Sequence, residues 1–511
     1  MRSPKSHILI RTALLMGIII LANIISIRVF GRIDLTSQEI YTLSQASRDL
    51  VGSLDDRVTV KAYFTEDLPA PYNNNRRATL DILNEYKAYS DGMLHFEFIN
   101  PEGEAGEQEA QQQGIAPVQV QVINDDRLEV KRGYMGLVLL YEDRKETLPV
   151  VQNLQSLEYD LSSALKRLTT KVKKKIGYTT GHGEAEPASF QRAGQMVSSQ
   201  YELTAVNLRS NPVVPEDLSG LLVIGPEERF SDSAKIALDR YLVSGGKIAF
   251  FINRHVATLQ DRFARAVDPG LDDLLAHSGV RVNPDLVRDA QCAPVTVMQQ
   301  QGMFRFQSQI PFPLLPIASN FNRENVVSKD LESVLFFFVS SIDTSGASAK
   351  GLKPVVLVRS SERSGRQSGF IPIDPLQRTG APDLTESGIP LAVSVEGSFS
   401  SFFADTSAGR TGPPTRMLVV GDGDFMKDDY LGSRDNVIFF ANIVDYIADD
   451  AGLITIRSKN LAQPPLEQVS DGTKRVLKYV NLFLPPVLVA GYGVFRWRRR
   501  SALKRALERS L

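Results

Sequence analysis

The stretch LLVIGPEERFSDSAKIALDRYLVSGGKIAFFI, residues 221–252, decides the fold. Residues 221–225 form a short apolar run closed by Pro226. Residues 232–244 place Ile236, Leu238, Tyr241 and Leu242 at helical spacing, and Gly245-Gly246 supplies a stop. Residues 247–252 (KIAFFI) are apolar without alternation, as in a strand buried on both faces. Strand, helix and strand in this order predict a parallel sheet covered by helices on both sides.

The pattern extends in both directions. Upstream, 175–180 (KIGYTT) reads as a strand ending at Gly181-His182-Gly183-Glu184, with a helix over 190–200 and a strand over 201–208. Downstream, 416–421 (RMLVVG) reads as a strand ending at Asp422-Gly423-Asp424-Phe425, with a helix over 436–448. A late strand can complete an early sheet, so 153–455 is expected to be one α/β domain with an irregular excursion at 269–415. Strands are expected inside the excursion at 333–342, 354–358 and 390–395. The Ser- and Gly-rich pieces 360–369 and 407–414 read as loops.

A smaller α/β unit is expected over 33–152. Ser44 is positioned to cap a helix carrying Ala46, Leu50 and Leu54 on one face. Strands at 58–64, 94–99, 118–122, 127–132 and 134–141 surround a helix at 76–89, in a thioredoxin-like outline that lacks C-x-x-C. The polar piece 102–113 reads as a solvated helix. Residues 155–175 form a helix ending in Lys166, Arg167, Lys171, Lys173, Lys174 and Lys175. A solvated helix end and a contact with anionic headgroups are both open for that run.

Both ends of the chain carry apolar segments. Residues 476–495 (VLKYVNLFLPPVLVAGYGVF) hold one charge, Lys478, and match the roughly 20 residues that cross a bilayer. Arg496, Arg498, Arg499, Arg500, Lys504, Arg505 and Arg509 follow, against a single acid, Glu508, which places that end on the cytoplasmic side. Pro485 and Pro486 are expected to kink or break the helix. Residues 8–29 (ILIRTALLMGIIILANIISIRV) read as an uncleaved first anchor. The expected order is an N-terminal anchor (1–32), the two soluble domains, a linker (456–475), a C-terminal membrane helix (476–496) and a basic cytoplasmic tail (497–511). With both termini cytoplasmic, the bulk of the chain is extracytoplasmic, on the outer side of a bacterial inner membrane.

The chain has 511 residues and a net charge of −1, so no nucleic-acid partner is expected. Cys292 is its one cysteine, which excludes an intramolecular disulfide and a multi-cysteine metal site and leaves the compartment undecided. There is no G-x-x-x-x-G-K-[ST], no H-E-x-x-H and no G-x-S-x-G. The chain is therefore not an ATPase by itself, and no catalytic residue, metal or cofactor is expected. Two strand-end loops carry candidate ligand-binding residues. His182 and Glu184 offer acid–base or metal chemistry, or else shape a glycine turn in which the histidine caps a backbone group. Asp422 and Asp424 offer a cation site, or else Asx hydrogen bonds that shape their own turn.

The order of several motifs is familiar. IDLTSQEIYTLS follows the first apolar segment, GHGE lies at mid-chain, GGKIAFF comes later, VVGDGDF precedes the last soluble helix, and the P-P-containing anchor ends in RWRRR. Together they resemble the gliding-motility-associated ABC transporter auxiliary component family (GldG-like). The resemblance covers nearly the whole chain and is weakest over 269–415. It implies an extracytoplasmic, class I glutamine-amidotransferase-like sheet domain working with a separate ABC-type permease and ATP-binding subunit. Amidotransferases of that class carry a nucleophilic cysteine on a turn after a strand. The corresponding turn here, Gly225-Pro226-Glu227, has none. The expectation is a non-catalytic, membrane-anchored auxiliary subunit in the lipid bilayer. An extracytoplasmic receptor for a solute, glycan or other envelope cargo is the alternative.

Overall fold

The structure is a computed structural model that describes residues 16–17, 42–66, 68–70, 72–124, 127–301, 304–376, 384–403, 411–430, 433–450, 452, 454–457 and 471–508. The first apolar segment, 8–29, lies outside the described residues except for Met16 and Gly17. The chain forms two compact units, Met1–Ala462 and Gln463–Leu511.

An eight-stranded sheet dominates the first unit. Its order is Asn320–Phe321, Lys353–Arg359, Pro390–Ser400, Thr411–Val420, Ile248–Phe251, Leu218–Ile224, Lys175–Thr180 and Glu202–Asn207. The last five of these are mutually parallel. The first three add antiparallel neighbours at the other side. The sheet is thus mixed, whereas the strand–helix alternation predicted a doubly wound parallel one. The difference arises inside 269–415, where Lys353–Arg359 and Pro390–Ser400, with no helix between them among the described residues, pair antiparallel.

Each apolar strand feeds both cores. Ile176, Leu222, Ile224, Ala249, Phe251, Leu418 and Val420 pack on one face, with helices Gln191–Ser198 and Arg434–Ile447. Leu221, Val223, Ile248, Phe250, Met417 and Val419 pack on the other, with helix Asp232–Val243. That two-sided burial is why these strands read as continuous apolar runs. Ser231 caps the Asp232–Val243 helix by accepting from the Ala234 amide at 3.3 Å. Gly245, at φ +98, follows its end, a conformation that glycine adopts without strain.

Three expectations inside the irregular region need correction. The loop expected over 407–414 gives way from Thr411 to strand Thr411–Val420. The serine- and glycine-rich residues 360–369 predict a loop, yet Ser364–Ser368 is a strand paired with Asp285–Asp289. The Asp289 carboxylate fixes its approach by accepting from the Ser361 amide at 2.7 Å. Residues 333–342 form only the two-residue strands Val334–Leu335 and Ile342–Asp343. Val334, Phe336 and Val339 are buried in the main sheet core, and Phe337 and Phe338 in a cluster with Leu286, Phe312 and Leu315, so burial here imitates a strand pattern.

Upstream, Leu94–Ile99, Val58–Phe64, Met135–Tyr141 and Arg144–Leu148 form a four-stranded sheet, with a separate hairpin of Val118–Asn124 and Arg127–Gly133. Ser44 caps helix Gln45–Gly52, as its position predicts. Its amide also donates to Glu158 Oε1 at 2.7 Å, on helix Leu157–Thr169. The last described residues of this unit reach the same helix. The Arg457 guanidinium lies 5.2 Å from the Tyr159 ring centroid, and Gly452 approaches Ala46. Ser44 and Arg457, near the two ends of the described part of this unit, therefore both contact helix Leu157–Thr169. The basic run at the end of that helix is mostly engaged internally: Lys166 pairs with Asp450, Arg167 with Glu146, and Lys174 donates to the Ala448 carbonyl.

The second unit is a helix, Asp471–Glu508, which continues through Pro485 and Pro486. The helix is not broken at the two prolines. Residues Gly472–Arg498 of this helix are long and apolar enough to cross a membrane.

Candidate functional site

Four loops meet where the parallel strands end, at the carboxyl edge where open α/β sheets place their sites. They follow Lys175–Thr180, Leu218–Ile224, Ile248–Phe251 and Thr411–Val420, which are adjacent in the sheet except that Leu218–Ile224 separates the first from the third.

The loop after Lys175–Thr180 is a tight turn with Gly181 at φ +102 and Gly183 at φ +73. His182 is 2 % exposed, and its ring stacks on Phe230 with centroids 4.0 Å apart. Its carbonyl accepts from the Glu227 and Glu228 amides at 3.1 and 2.9 Å, which ties this loop to the next strand end. Glu184 Oε2 accepts from the His182 amide at 2.5 Å. Its other oxygen lies 3.6 Å from His182 Nδ1, beyond hydrogen-bond reach. Burial lowers the His182 pKa against the opposing pull of Glu184, so the ring stays neutral. The carboxylate therefore holds the turn's backbone rather than pairing with an imidazolium.

The next strand ends at Gly225, at φ +56, whose amide donates to the Phe251 carbonyl at 2.8 Å. Gly423 packs so closely here that a Cβ on it would lie 2.7 Å from Gly225 Cα. A nucleophile on this turn would need a side chain at a left-handed residue, and that residue is glycine.

Asp422 is fully buried. It accepts from the Phe337 amide at 2.7 Å through one oxygen and from the Asp424 and Phe425 amides at 2.6 and 3.2 Å through the other. Burial, with the charge of Asp424, raises its pKa to about 8, and the three N–H donors oppose that rise. Asp424 accepts from Asn253 Nδ2 at 3.1 Å and pairs with Lys427 at 2.5 Å. Asn253 Oδ1 accepts in turn from the Gly423 amide at 2.6 Å. Sequence reasoning missed Asn253 and Lys427. The i,i+3 spacing of Asp424 and Lys427 was the one local signal.

The structure thus brings His182 to Glu184 and Asp422 to Asp424, and links the two pairs only through backbone contacts at Gly225 and Gly423. Both Asp422 oxygens are taken by backbone amides, whereas His182 Nδ1, Glu184 Oε1 and His255 Nδ1 are buried without a hydrogen-bond partner among the described residues. Among the described residues no group of three or more His, Cys, Asp or Glu side chains is arranged to hold a metal ion. Burial pushes the Cys292 thiol up to about 11, so it is a poor nucleophile.

His255, after Ile248–Phe251, is also buried, and burial lowers its pKa while Asp285 raises it and Arg254 lowers it. Both histidines bind protons more weakly folded than unfolded. Their contribution to stability is complete above the unfolded value of about 6.5 and is lost as the pH falls from there toward the folded values. Asp422, whose pKa burial raises, works in the opposite sense over the same window, so the histidine contribution is read as a difference. The stability of wild type relative to a His182→Gln, His255→Gln double variant is expected to fall from pH 7.5 to pH 5, and an unchanged difference would refute this assignment.

Similarity to known proteins agrees with a transport role. The profile of a family described as an ABC-type uncharacterized transport system matches residues 173–449, more than half of the chain. A domain of unknown function matches residues 37–140. An uncharacterized protein of Borreliella burgdorferi is 23 % identical over 525 aligned positions, covering 98 % of this chain and 99 % of the relative. Among solved structures, the mmIFT52 N-terminal domain aligns with 54 % of this chain and 97 % of its own at 14 % identity, with a TM-score of 0.34. PurLQS from Thermotoga maritima aligns with 54 % of this chain and 99 % of its own at 9 % identity, with a TM-score of 0.27. By the match over residues 173–449, which span the large sheet and its four strand-end loops, the chain belongs to the ABC-type transport-system auxiliary family.

Proposed function

We propose that the chain is a non-catalytic, membrane-anchored auxiliary subunit of an ABC transport system. It works with a separate permease and ATP-binding subunit, and its α/β body lies outside the cytoplasm between two anchors. Family membership over residues 173–449 is the observation that carries this reading. Glycine at the turn where a nucleophile would stand supports a non-catalytic role. A role in gliding does not follow. Purification of the full chain in mild detergent is expected to recover a permease and an ATPase with it. Repeated recovery of this chain alone would overturn the proposal.

A second reading, an extracytoplasmic receptor for a glycan or other solute, has one observation in its favour. Phe263 and Phe370 are 48 % and 73 % exposed with ring centroids 4.4 Å apart. They stand beside Arg265, which pairs at 2.5 Å with Glu227 of the strand-end turn. Exposed rings flanked by ion pairs suit the apolar face of a sugar. Phe263→Ala with Phe370→Ala should then abolish binding of envelope glycans to the full chain. Equal retention by wild type and variant would remove this reading.

A further inference from the structure

We propose a second site, at the opposite edge of the large sheet, that binds a phosphate-bearing anion. A cleft of about 960 Å3 opens there, where the parallel strands begin rather than where they end. Four cations line it, Lys247, Lys350, Lys353 and Arg416, against two carboxylates, Glu396 and Asp449.

The charges are organised around Asp449. This residue has φ +52, a left-handed conformation that a non-glycine side chain rarely adopts, at the end of helix Arg434–Ile447. Its carboxylate pairs with Lys247 Nζ at 2.5 Å and Arg416 Nη2 at 2.6 Å. Lys174 adds a third cation, donating to the Ala448 carbonyl at 2.7 Å and the Asp449 carbonyl at 3.3 Å. One carboxylate therefore faces more positive charge than it can balance. The side chains of Lys247 and Arg416 are only 21 % and 26 % exposed, so solvent screens that excess incompletely.

Across the cleft, Glu396 is engaged as the acceptor of the Tyr446 hydroxyl. Lys350 and Lys353 form no ion pair among the described residues, and both are exposed. A phosphomonoester carries about −1.5 to −2 charges at neutral pH, close to the excess of cations over carboxylates in the cleft. Its oxygens accept charge-assisted hydrogen bonds from ammonium and guanidinium groups together. Residues Gly245, Gly351 and Gly397 line the same cleft and leave the floor unobstructed by side chains. The ligand is either a soluble phosphate ester or the phosphate of a lipid headgroup, and the chemistry of recognition is common to both.

The test uses the full chain in nanodiscs of neutral lipid, titrated calorimetrically with inorganic pyrophosphate. Saturable binding that weakens as salt is raised is the expected result. Lys350→Gln with Lys353→Gln should lower affinity about 3- to 10-fold. Lys145→Gln, in the four-stranded sheet, should leave it unchanged. If nanodiscs of phosphatidylglycerol suppress pyrophosphate binding, the occupant is a headgroup. If they do not, it is a soluble phosphate. An absence of saturable binding by wild type, or equal affinity in the double lysine variant, would overturn the site whatever the outcome for the transporter complex.

Discussion

Arg457→Met is expected to destabilise the soluble body by about 3–5 kcal/mol. The guanidinium is 1 % exposed and pairs with Asp445, itself buried, at 2.8 Å. Its other terminal nitrogen donates to Asn442 Oδ1 at 2.6 Å. Removing it leaves the Asp445 carboxylate in the core with the Tyr201 hydroxyl, 2.7 Å away, as its remaining strong donor. Burial already pushes the Asp445 pKa up, and Arg457 opposes that push. Without the arginine the carboxylate must either stay charged at a large desolvation cost or take up a proton. Replacing both partners, as in Arg457→Met with Asp445→Leu, removes the charge problem. It should bring stability back to within about 1.5 kcal/mol of wild type. Urea unfolding followed by far-UV circular dichroism measures both variants. A single variant within about 1 kcal/mol of wild type would show that the pair is not the tie described here.

The location of that pair explains its weight. Asp445 and Asn442 belong to helix Arg434–Ile447, Tyr201 precedes strand Glu202–Asn207, and Tyr159, under the guanidinium, belongs to helix Leu157–Thr169. The last helix also holds Ser44 through Glu158. Arg457 thus joins helix Arg434–Ile447 to helix Leu157–Thr169. In the sequence it falls only within the expected linker, 456–475. An arginine whose partner lies twelve positions earlier gives no local pattern.

Much of the fold was legible where a local rule governs it. Ser44 reads as a helix start because a hydroxyl before an apolar-periodic run is the signature of a cap, and it accepts the expected amide. Ser231 caps Asp232–Val243 in the same way without having been singled out. Residues 221–225, 247–252 and 416–421 read as buried strands because both faces are covered. The antiparallel half of the sheet was not legible, since pairing direction there depends on which distant strands meet. The strand Ser364–Ser368 was hidden because serine and glycine carry the statistics of loops while Asp289, far away in sequence, supplies its anchor. At the strand ends, the residues that carry the loops were visible as motifs, but their purpose was not. GHGE and GDGD carry acid–base and cation-ligand residue types. Only the partners, the Phe337 amide and Asn253 above all, separate turn-building from ligand-binding.

That separation makes Asp422→Ala the other large effect. The carboxylate accepts from three buried amides, those of Phe337, Asp424 and Phe425. Alanine offers none of them an acceptor. A buried donor left unpaired costs about 1–3 kcal/mol, and neighbouring losses are not additive, so we expect a loss of about 3 kcal/mol or more. Asp422→Asn should fall between, because its carbonyl oxygen can serve the Asp424 and Phe425 amides while its NH2 group faces the Phe337 amide as a second donor. The order wild type, asparagine, alanine in unfolding midpoint is therefore the signature of a structural Asp422. The same side chain acting as a ligand contact predicts a different pattern: the alanine variant keeps the wild-type midpoint, since removing a desolvated charge from an empty site relieves it, and loses only transport or binding. Hydrogen exchange sharpens the comparison. In the structural case Asp422→Ala should speed exchange at the Phe337 and Phe425 amides together, because one carboxylate pins segment 335–338 and the turn at 422–425 to each other. Exchange that accelerates at only one of the two would mean that Asn436 is the true tie between them. Its side chain already donates to the Leu335 and Phe425 carbonyls at 2.8 Å each.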